Sequence, residues 1–277
     1  MERDSWRLIK IPAGRGSTQM AIDEAILDAV CEGSSPPVLR LYAWQPACLS
    51  LGYSQSVDDV DCERLREKGW DLVRRPTGGQ AILHTDEITY AVIGRADHPL
   101  LVGNVLESYR LIAAALLAAL TVLGVQANFL PSEMPAKETK GPVCFEVPSN
   151  YEITVSGRKV LGSAQARRKN GVLQHGSLPL IGDLGRITDV LKFGDEKSRQ
   201  SSRRRLLERA ATLEQITGRA IPWDEAASAF QRGFEAQLGI SFTTMDLTDE
   251  EVARANALER EKYAHERWTL HKDLRSN

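Results

Sequence analysis

The chain has 277 residues, which is enough for one large domain or for a domain with a small appendage. Hydrophobic residues make up 42% of it, so it can bury a full core and is not expected to be disordered. Its 35 basic and 37 acidic side chains give a formal charge of −2. This balance gives the protein no overall electrostatic field that would attract nucleic acid or an anionic membrane. A charged partner would therefore have to bind a local patch of charge.

The termini and the cysteines favour a cytosolic protein. The opening MERDSWRLIKIPAG is too polar for a secretory signal, and the apolar run at 111–125 is shorter than the roughly 20 residues of a membrane span. That run is predicted to be a buried helix. Four scattered cysteines form no C-x-x-C pair, so neither a zinc site nor a disulfide framework is expected. They are Cys31, Cys48, Cys62 and Cys144.

The first third of the chain predicts a helix and then short strands. Apolar residues recur at helical spacing over 17–31, with Ser17 as the expected N-cap. The runs VLRLYAW (38–44) and CLSLGYS (48–54) are typical of strands. The polar residues 58–68 are predicted to be helical, and DLVRR (71–75) is predicted to be a strand that leads into a pair of glycines.

The remainder of the chain predicts one more helix, a β-rich stretch and a helical C-terminal part. Residues 104–123 form an Ala/Leu-rich helix that ends near Gly124. Residues 150–180 read as strands, with hairpin turns at Ser156-Gly157 and Asn170-Gly171. Three amphipathic helices are predicted at 203–217, 222–238 and 248–263, and 198–202 is predicted to be a mobile linker. The fold class is therefore α+β, with a mixed, largely antiparallel sheet flanked by helices and a helical C-terminal segment.

The most informative stretch is RRPTGGQAILHTDEITYAVI, residues 74–93. Gly78 and Gly79 allow positive φ or a close approach to a ligand, and Thr77 and His84 offer polar groups beside them. An alternating apolar strand follows and is expected to hold the loop rigidly. A Gly-Gly pair alone is weak evidence, but this turn carries more polar groups than a plain connector needs.

This stretch resembles the lipoate-protein ligase A and octanoyltransferase family. The family signature Arg-Arg-x-x-Gly-Gly-x-x-x-x-His is matched by Arg74, Arg75, Gly78, Gly79 and His84. The resemblance spans roughly 17–270 and implies the biotin/lipoate ligase-like fold. It implies a catalytic domain at 33–247, preceded by a strand and helix of the same body (1–32) and followed by a packing helix and tail (248–277). ATP-using ligases usually have a third glycine where this chain has Gln80. This difference argues against a plain ligase.

The resemblance also points to a nucleophile. Cys144 lies between two prolines in GPVCFEVPSN, and from spacing alone a small buried thiol is the favoured interpretation. Octanoyltransferases of the family, however, carry a nucleophilic cysteine in such a Cys-Phe context, which ATP-dependent ligases generally lack. The other three cysteines are expected to be structural.

Lys159, in SGRKVLGSAQ, matches the family's active-site lysine. A solvated lysine at a hairpin end is the ordinary alternative. As a cation near the thiol it would favour the thiolate, and it is preferred over Arg158, which should point to the opposite strand face.

Further residues are expected to bind substrate. The small residues after Lys159 line the acyl and pantetheine tunnel in this family, whereas close strand–helix packing is the alternative. His84 would either bond the acyl carbonyl or brace the loop, and His175 is predicted to be structural. The complete substrate-binding set predicted from the sequence is Arg75, Thr77, Gly78, Gly79, Gln80, His84, Gly162, Ser163, Ala164 and Gln165.

Two basic runs, 167–169 and 203–205, are either solvated surface, which is favoured, or a docking patch for an acidic partner.

The resemblance implies an octanoyltransferase. It would move an octanoyl group from acyl carrier protein to a lysine of a lipoyl-domain protein, such as a glycine-cleavage H protein or a dehydrogenase E2 subunit, through a Cys144 thioester. No metal and no cofactor is expected, nor any nucleic-acid or membrane partner, and the default is a monomer. The alternatives are an ATP-dependent lipoate-protein ligase and a non-catalytic module that binds acyl carrier or lipoyl domains.

Overall fold

The computed structural model describes residues 4–11, 13–131, 151–168 and 170–270, so Cys144 lies outside the described residues. The strands are β1 Ser5–Lys10, β2 Val38–Tyr42, β3 Cys48–Leu51, β4 Asp71–Arg74, β5 Ile82–His84, β6 Glu87–Arg95, β7 Asn128–Pro131, β8 Tyr151–Val155, β9 Arg158–Arg168, β10 Gly171–Pro179 and β11 Ser241–Thr244. The α-helices are α1 Gly16–Glu32, α2 Cys62–Glu67, α3 Val105–Val122, α4 Glu196–Arg209, α5 Leu213–Thr217, α6 Trp223–Leu238, α7 Asp249–Leu258 and α8 Glu266–Leu270. Short 3₁₀ helices lie at Val57–Asp59 and Leu184–Val190, and a π-helical turn lies at Glu259–Tyr263.

The architecture is a mixed α/β one with an eight-stranded sheet, in the order β11-β1-β2-β6-β10-β9-β8-β7, and a small sheet, β4-β3-β5. In the large sheet β1 is parallel to both β11 and β2, and the other five neighbouring pairs are antiparallel. The predicted fold class, a mixed and largely antiparallel sheet flanked by helices, is thereby confirmed. Because β1 pairs inside this sheet, the N-terminal strand is part of the main body.

The register of the large sheet sorts its side chains onto two faces. One row of paired residues runs across β2, β6, β10 and β9 and consists of Tyr42, Thr89, Ser177 and Gly162. His175 lies two residues before Ser177 on β10, so it belongs to a second row on the same face. Both rows lie on the face covered by α1, which we call the α1 face. The intervening row contains Leu41 and Tyr90, which pack in the apolar core beneath α3 and α6, and this is the α3 face.

Helix α3 is long and apolar enough to cross a membrane by length and composition, with a mean hydropathy of 1.7. One face of the helix packs in the core of the α3 face, against the sheet and α6, whereas Val105, Leu111 and Val122 are exposed. A Cβ on Gly233 of α6 would lie 2.4 Å from the backbone nitrogen of Ala119, which shows how closely the two helices approach. The predicted helix is confirmed, and one face of it is buried.

Several local predictions were wrong. Ser17 is not the N-cap of α1: Arg15 occupies that position, and the Ser17 hydroxyl donates to Glu259 instead. The predicted linker at 198–202 lies within α4, whose N-cap Asp195 accepts a hydrogen bond from the backbone nitrogen of Ser198. The amphipathic stretch 203–217 is two helices, α4 and α5, because the chain turns extended at Ala210. The strand β11 was not foreseen.

Candidate functional site

The glycine loop after β4 is held from beneath by Arg75. Its guanidinium donates to the carbonyl oxygens of Ser50 at 3.0 Å, Gly78 at 2.7 Å and Gln80 at 2.8 Å. The side chain is buried, and its planar fork suits several carbonyls at once. Arg75 was predicted to bind substrate; the structure shows it fixing the shape of the loop from inside.

Gly79 is the glycine of the pair that the loop conformation requires. Its φ is +92°, which side chains disfavour, whereas Gly78 does not adopt positive φ. A Cβ on Gly52, after β3, would lie 1.8 Å from the Gly79 carbonyl oxygen, so the two backbones are in direct contact. The loop therefore rests on the small sheet without an intervening side chain.

Arg74 joins the same loop region to the C-terminal helix. It donates to the carbonyl oxygens of Gly52, Gln55 and Thr269, the last of these in α8, at 2.8, 2.6 and 2.9 Å. Burial lowers the pKa of this guanidinium from its ordinary value. Both arginines of the motif thus have structural partners, which the sequence did not foretell.

His84 lies at the centre of a buried relay. Its Nδ1 is 2.6 Å from Glu87 Oε1 and its Nε2 is 2.8 Å from Ser50 Oγ. Its ring stacks on Trp44 with the centroids 4.0 Å apart. Burial acts to raise the pKa of Glu87, but the charge and hydrogen bond of His84, with hydroxyl donors from Thr89 and others, outweigh it and lower that pKa. Of the two roles predicted for His84, bracing the loop is the one that these contacts favour.

His175 forms a second relay. Its Nδ1 is 3.2 Å from Asp23 Oδ2 on α1, and its Nε2 is 2.6 Å from Thr77 Oγ1 in the glycine loop. Burial lowers the pKa of His175, so the ring is neutral near pH 7. Because the carboxylate only accepts, Nδ1 carries the proton and Nε2 accepts from the Thr77 hydroxyl.

Asp23 is the buried anchor of this relay. It forms an ion pair with Arg40 at 2.5 Å and accepts from the Tyr42 hydroxyl at 3.1 Å; the side chains of the ion pair are fully buried. Burial acts to raise its pKa, but Arg40 and His175 together outweigh this and lower it. His175 is confirmed as a buried residue of a core strand, and it also borders the cavity described next.

The two relays meet at a cavity beneath the loop. The space not filled by atoms is about 550 Å³, counting its opening to solvent, and its wall is mostly apolar because the polar side chains are bonded to one another. The lining residues include Met20, Tyr42, Trp44, Arg75, Gly79, Ile82, His84, Gly162, Ser163, Ala164, His175 and Gly176. Such a cavity fits an apolar ligand with few polar atoms.

Lys159 faces the same side of the sheet as the cavity. Its Nζ lies 3.0 Å from Glu152 Oε1 of β8, and the lysine side chain is only 3% exposed. Glu152 pairs with Gly162, whereas Thr154 pairs with Lys159, so β9 carries one extra residue, a β-bulge. Uninterrupted alternation from Gly162 would place Lys159 on the α3 face; the bulge turns it onto the α1 face.

The other predicted substrate-binding residues divide between the faces. Gly162 and Ala164 lie on the α1 face. The Ser163 hydroxyl bonds to Tyr90 at 2.7 Å, and Gln165 bonds to Ser108 of α3 at 3.1 Å, so both side chains point toward the α3 face. The prediction that Gln165 contacts substrate does not fit this position.

The remaining cysteines behave as structural residues. Cys48 is buried, and burial raises the pKa of its thiol well above the ordinary value. Cys31 and Cys62 are partly buried, and within the described residues none of the three is in a disulfide. Within the described ranges, no group of three or more histidine, cysteine or carboxylate side chains is arranged to hold a metal.

The sequence reasoning missed Asp23, Glu87 and Ser50, which complete the two relays. Two signals were present: a carboxylate within the apolar stripe of α1 and an arginine at the centre of VLRLY in β2. A charged residue in the middle of each of two otherwise apolar elements is typical of a buried pair.

The fold is shared with solved lipoate protein ligases. The structure of a bipartite lipoate protein ligase and its E2 lipoyl domain from Thermoplasma acidophilum is similar, with a TM-score of 0.80, 28% identity and coverage of 98% of this chain and 99% of that one. A lipoate-protein ligase A bound with ATP is similar with a TM-score of 0.78, 27% identity and coverage of 96% and 98%.

The chain belongs to the lipoyl protein ligase A/B catalytic domain family, whose model matches residues 15–235. An octanoyltransferase LipM from Brevibacillus brevis is 40% identical over 273 residues, covering 96% of this chain and 99% of the relative. An octanoyltransferase LipM from Moorella thermoacetica is 41% identical over 270 residues, covering 97% and 98%.

Proposed function

We propose that this enzyme transfers an octanoyl group from octanoyl-acyl carrier protein to a lysine of a lipoyl-domain protein, through a thioester on Cys144. The observation that carries the proposal is the similarity to octanoyltransferases along almost the whole chain. The chain is accordingly an acyltransferase, and octanoyl transfer in protein lipoylation is its activity. The cysteine intermediate and the individual partners are the proposed part.

The cavity supports an acyl ligand with its tail buried. Lys159, Gly162 and Ala164 follow each other along β9 on the cavity side, and the strand rises roughly 3.3 Å per residue. An acyl group with its carbonyl carbon beside Lys159 would therefore run its methyl end along the strand into the cavity. His84 and His175, whose polar atoms are already paired, would present ring faces to that tail.

The residues that flank the segment of Cys144 support its assignment as the nucleophile. Pro131, at the end of β7, pairs with Tyr151, at the start of β8, and the next residue is Glu152, the partner of Lys159. The residues on either side of that segment therefore lie on β7 and β8, and β8 is the neighbour of the strand that carries Lys159. An ammonium group near the thiol favours the thiolate, which is the reactive form.

In the first step the thiolate attacks the carbonyl carbon of the carrier thioester. A new carbon–sulfur bond forms, the old one breaks, and the carrier thiol leaves after taking up a proton. Lys159 would steady the oxyanion of the tetrahedral intermediate, and one such donor typically contributes about 3 kcal/mol. Exchange of one thioester for another is close to thermoneutral.

In the second step the lysine amine of the lipoyl domain attacks the octanoyl-cysteine. An amide forms, the thiolate is released and the amine loses a proton, which makes this step strongly downhill. A free lysine amine is neutral in about one molecule in 2,000 at pH 7, so a base must take that proton as the bond forms. Two half-reactions through one covalent intermediate give ping-pong kinetics.

Intact-protein mass spectrometry tests the proposal. The enzyme is mixed with octanoyl-carrier protein without ATP, beside a Cys144→Ala variant, and a lipoyl domain is then added. An octanoyl adduct on the wild type alone, which moves to the lipoyl domain, is expected. An adduct that persists in Cys144→Ala would remove the cysteine from the mechanism.

An ATP-dependent lipoate-protein ligase is the second candidate, because a similar structure is that of lipoate-protein ligase A bound with ATP. It predicts that the lipoyl domain is modified only when ATP and free octanoate or lipoate are present, and that Cys144→Ala keeps this activity. Binding of both partners without turnover would leave a non-catalytic module.

A further inference from the structure

Helix α4 carries a concentration of positive charge that the chain as a whole lacks. It contains six basic and two acidic residues, a net charge of +4, in a protein whose formal charge is −2. Its buried residues, Ser202 and Leu206, face the core, so most of the charge is directed outward. Four of the basic side chains are exposed, namely Lys197, Arg204, Arg205 and Arg209.

Two of these cations are available for a partner. Arg199 pairs with Glu196 and Arg203 pairs with Asp183, whereas Lys197 and Arg204 take part in no ion pair within the described residues. Arg204 follows Lys197 by seven positions, or about two helical turns, which places both on one stripe of the helix. We call the stripe formed by Lys197 and Arg204 the basic stripe.

The basic stripe is anchored beside the candidate active site. After α4 the chain forms a bridge with β9, in which the Ala211 backbone nitrogen donates to the Lys159 carbonyl oxygen at 3.0 Å. Leu206 and Ala210 pack in the same apolar cluster as the small sheet beneath the glycine loop. The C-terminal end of α4 is therefore fixed to the residue that we assign to the chemistry.

We infer that the basic stripe docks the acidic carrier protein that delivers the acyl group, an assignment that rests on the proposed function. Charge complementarity fits an acidic protein, and such a patch raises the association rate. At about 1.5 Å per residue, Arg204 lies roughly 9 Å and Lys197 roughly 20 Å along the helix from Ala210. A donor held there needs a long arm to reach Lys159, which a carrier's prosthetic group has.

The acceptor lysine does not fit the same position, because its four-carbon side chain cannot span the length of the stripe. The inference therefore commits to the donor, and it predicts that loss of positive charge impairs the first half-reaction alone. The lipoyl domain would approach from elsewhere on the rim of the site.

The test uses a double charge reversal, Lys197→Glu with Arg204→Glu, and a matched control, Arg110→Glu with Arg232→Glu. The control changes the net charge equally, at exposed positions of α3 and α6 on the other side of the sheet. The rate of Cys144 acylation is measured by mass spectrometry with two donors, octanoyl-carrier protein and octanoyl-pantetheine. Transfer from preformed octanoyl-enzyme to a lipoyl domain is measured separately.

In the double variant, kcat/KM for acylation by octanoyl-carrier protein is expected to fall at least about tenfold. The rate of acylation by octanoyl-pantetheine and the rate of transfer to the lipoyl domain are each expected to change less than about twofold. The difference should shrink as salt rises, because a shorter Debye length screens exposed charges. An equal loss with both donors, a loss in the control, or a loss confined to transfer would overturn the inference.

Calorimetric binding of the carrier protein decides the docking surface independently of turnover. Weaker binding to the double variant than to the control supports it, and equal binding overturns it. Wild-type affinity for duplex DNA at or above that for the carrier would also overturn it. Failure of both donors to acylate the wild type would reject the proposed function, while the binding result would still test whether the basic stripe docks the carrier protein.

Discussion

The side chains of Glu152 on β8 and Lys159 on β9 meet diagonally across the two strands, with Oε1 and Nζ 3.0 Å apart. The pairing depends on the extra residue of β9, because regular alternation would turn the lysine toward the apolar core of the α3 face. The positive charge of Lys159 favours a nearby thiolate, and the negative charge of Glu152 disfavours it. Substituting each residue in turn should therefore shift the pKa of Cys144 in opposite directions, which tests the proposed thiolate.

Lys159→Met is expected to raise the pKa of Cys144 by about one unit or more, since the nearby cation that favours the thiolate is removed. Glu152→Gln is expected to lower it, since the carboxylate that offsets the ammonium charge is removed. The measurement is the rate of Cys144 carbamidomethylation against pH, followed by peptide mass spectrometry.

Arg158→Met is the matched control for this pair, because it removes the same charge one residue away on the opposite strand face. It should move the Cys144 profile much less than Lys159→Met does. Equal shifts in the two variants, or shifts of the same sign for Lys159→Met and Glu152→Gln, would contradict a direct Lys159–Cys144 interaction.

The two glycines of the loop are expected to differ. Gly79→Ala should destabilise the fold by about 1–2 kcal/mol and lower activity, because φ is +92° and the new Cβ would lie 2.8 Å from the Arg75 guanidinium. Gly78→Ala should be nearly neutral for stability, since no heavy atom lies within 4 Å of its Cβ position. Urea unfolding compares the two, and equal losses would refute the structural distinction between them.

The buried ion pair beneath the loop should be sensitive to neutralisation. Asp23→Asn leaves the Arg40 guanidinium buried without an anion, so the free energy of unfolding should fall by about 3–5 kcal/mol. Asp28→Asn, one turn further along α1, pairs with the half-exposed Arg254 and should lose about 1 kcal/mol or less. Similar losses in chemical denaturation would show that the Asp23–Arg40 pair is not the anchor.

The sequence predicted the parts of the fold that depend on local periodicity and turn chemistry. The helix over 104–123, the strands on both sides of Ser156-Gly157 and the α+β class are confirmed, because apolar spacing and glycine conformation are local properties. The linker at 198–202 was predicted from a polar composition, yet Leu206 packs in a core cluster and holds that helix in place. Tertiary contacts of this kind leave no mark on local composition.

The candidate site was likewise predicted only in the part that depends on local sequence. The motif located the loop and its histidine, but the partners Asp23, Glu87 and Ser50 come from three other elements. Arg75 was predicted to bind substrate, and its hydrogen bonds to the backbone carbonyls of the loop could not be predicted from the motif. The face occupied by Lys159 depends on a bulge, which single-sequence alternation cannot reveal.

Stability should decrease with acidity in a way that depends on His175. Burial lowers the pKa of the folded-state imidazole below its ordinary 6.5, so below that pH the unfolded chain binds a proton that the folded protein does not. Stability is therefore fully present above about pH 6.5 and is lost as pH falls toward the folded-state pKa. One such proton gives a slope of up to about 1.4 kcal/mol per pH unit.

His175→Gln should be less stable at pH 7.5, because Thr77 and Asp23 lose a shared partner, but its stability should change less between pH 7.5 and 5 than that of the wild type. Asp23 and Glu87, whose pKa values are also lowered, add the same sign of dependence only in more acidic solution. Urea unfolding at half-unit pH steps measures the slope, with His265→Gln, an exposed position, as the control. If His175→Gln keeps the full wild-type slope, the pH dependence arises elsewhere and the neutral relay between α1 and the glycine loop is not its source.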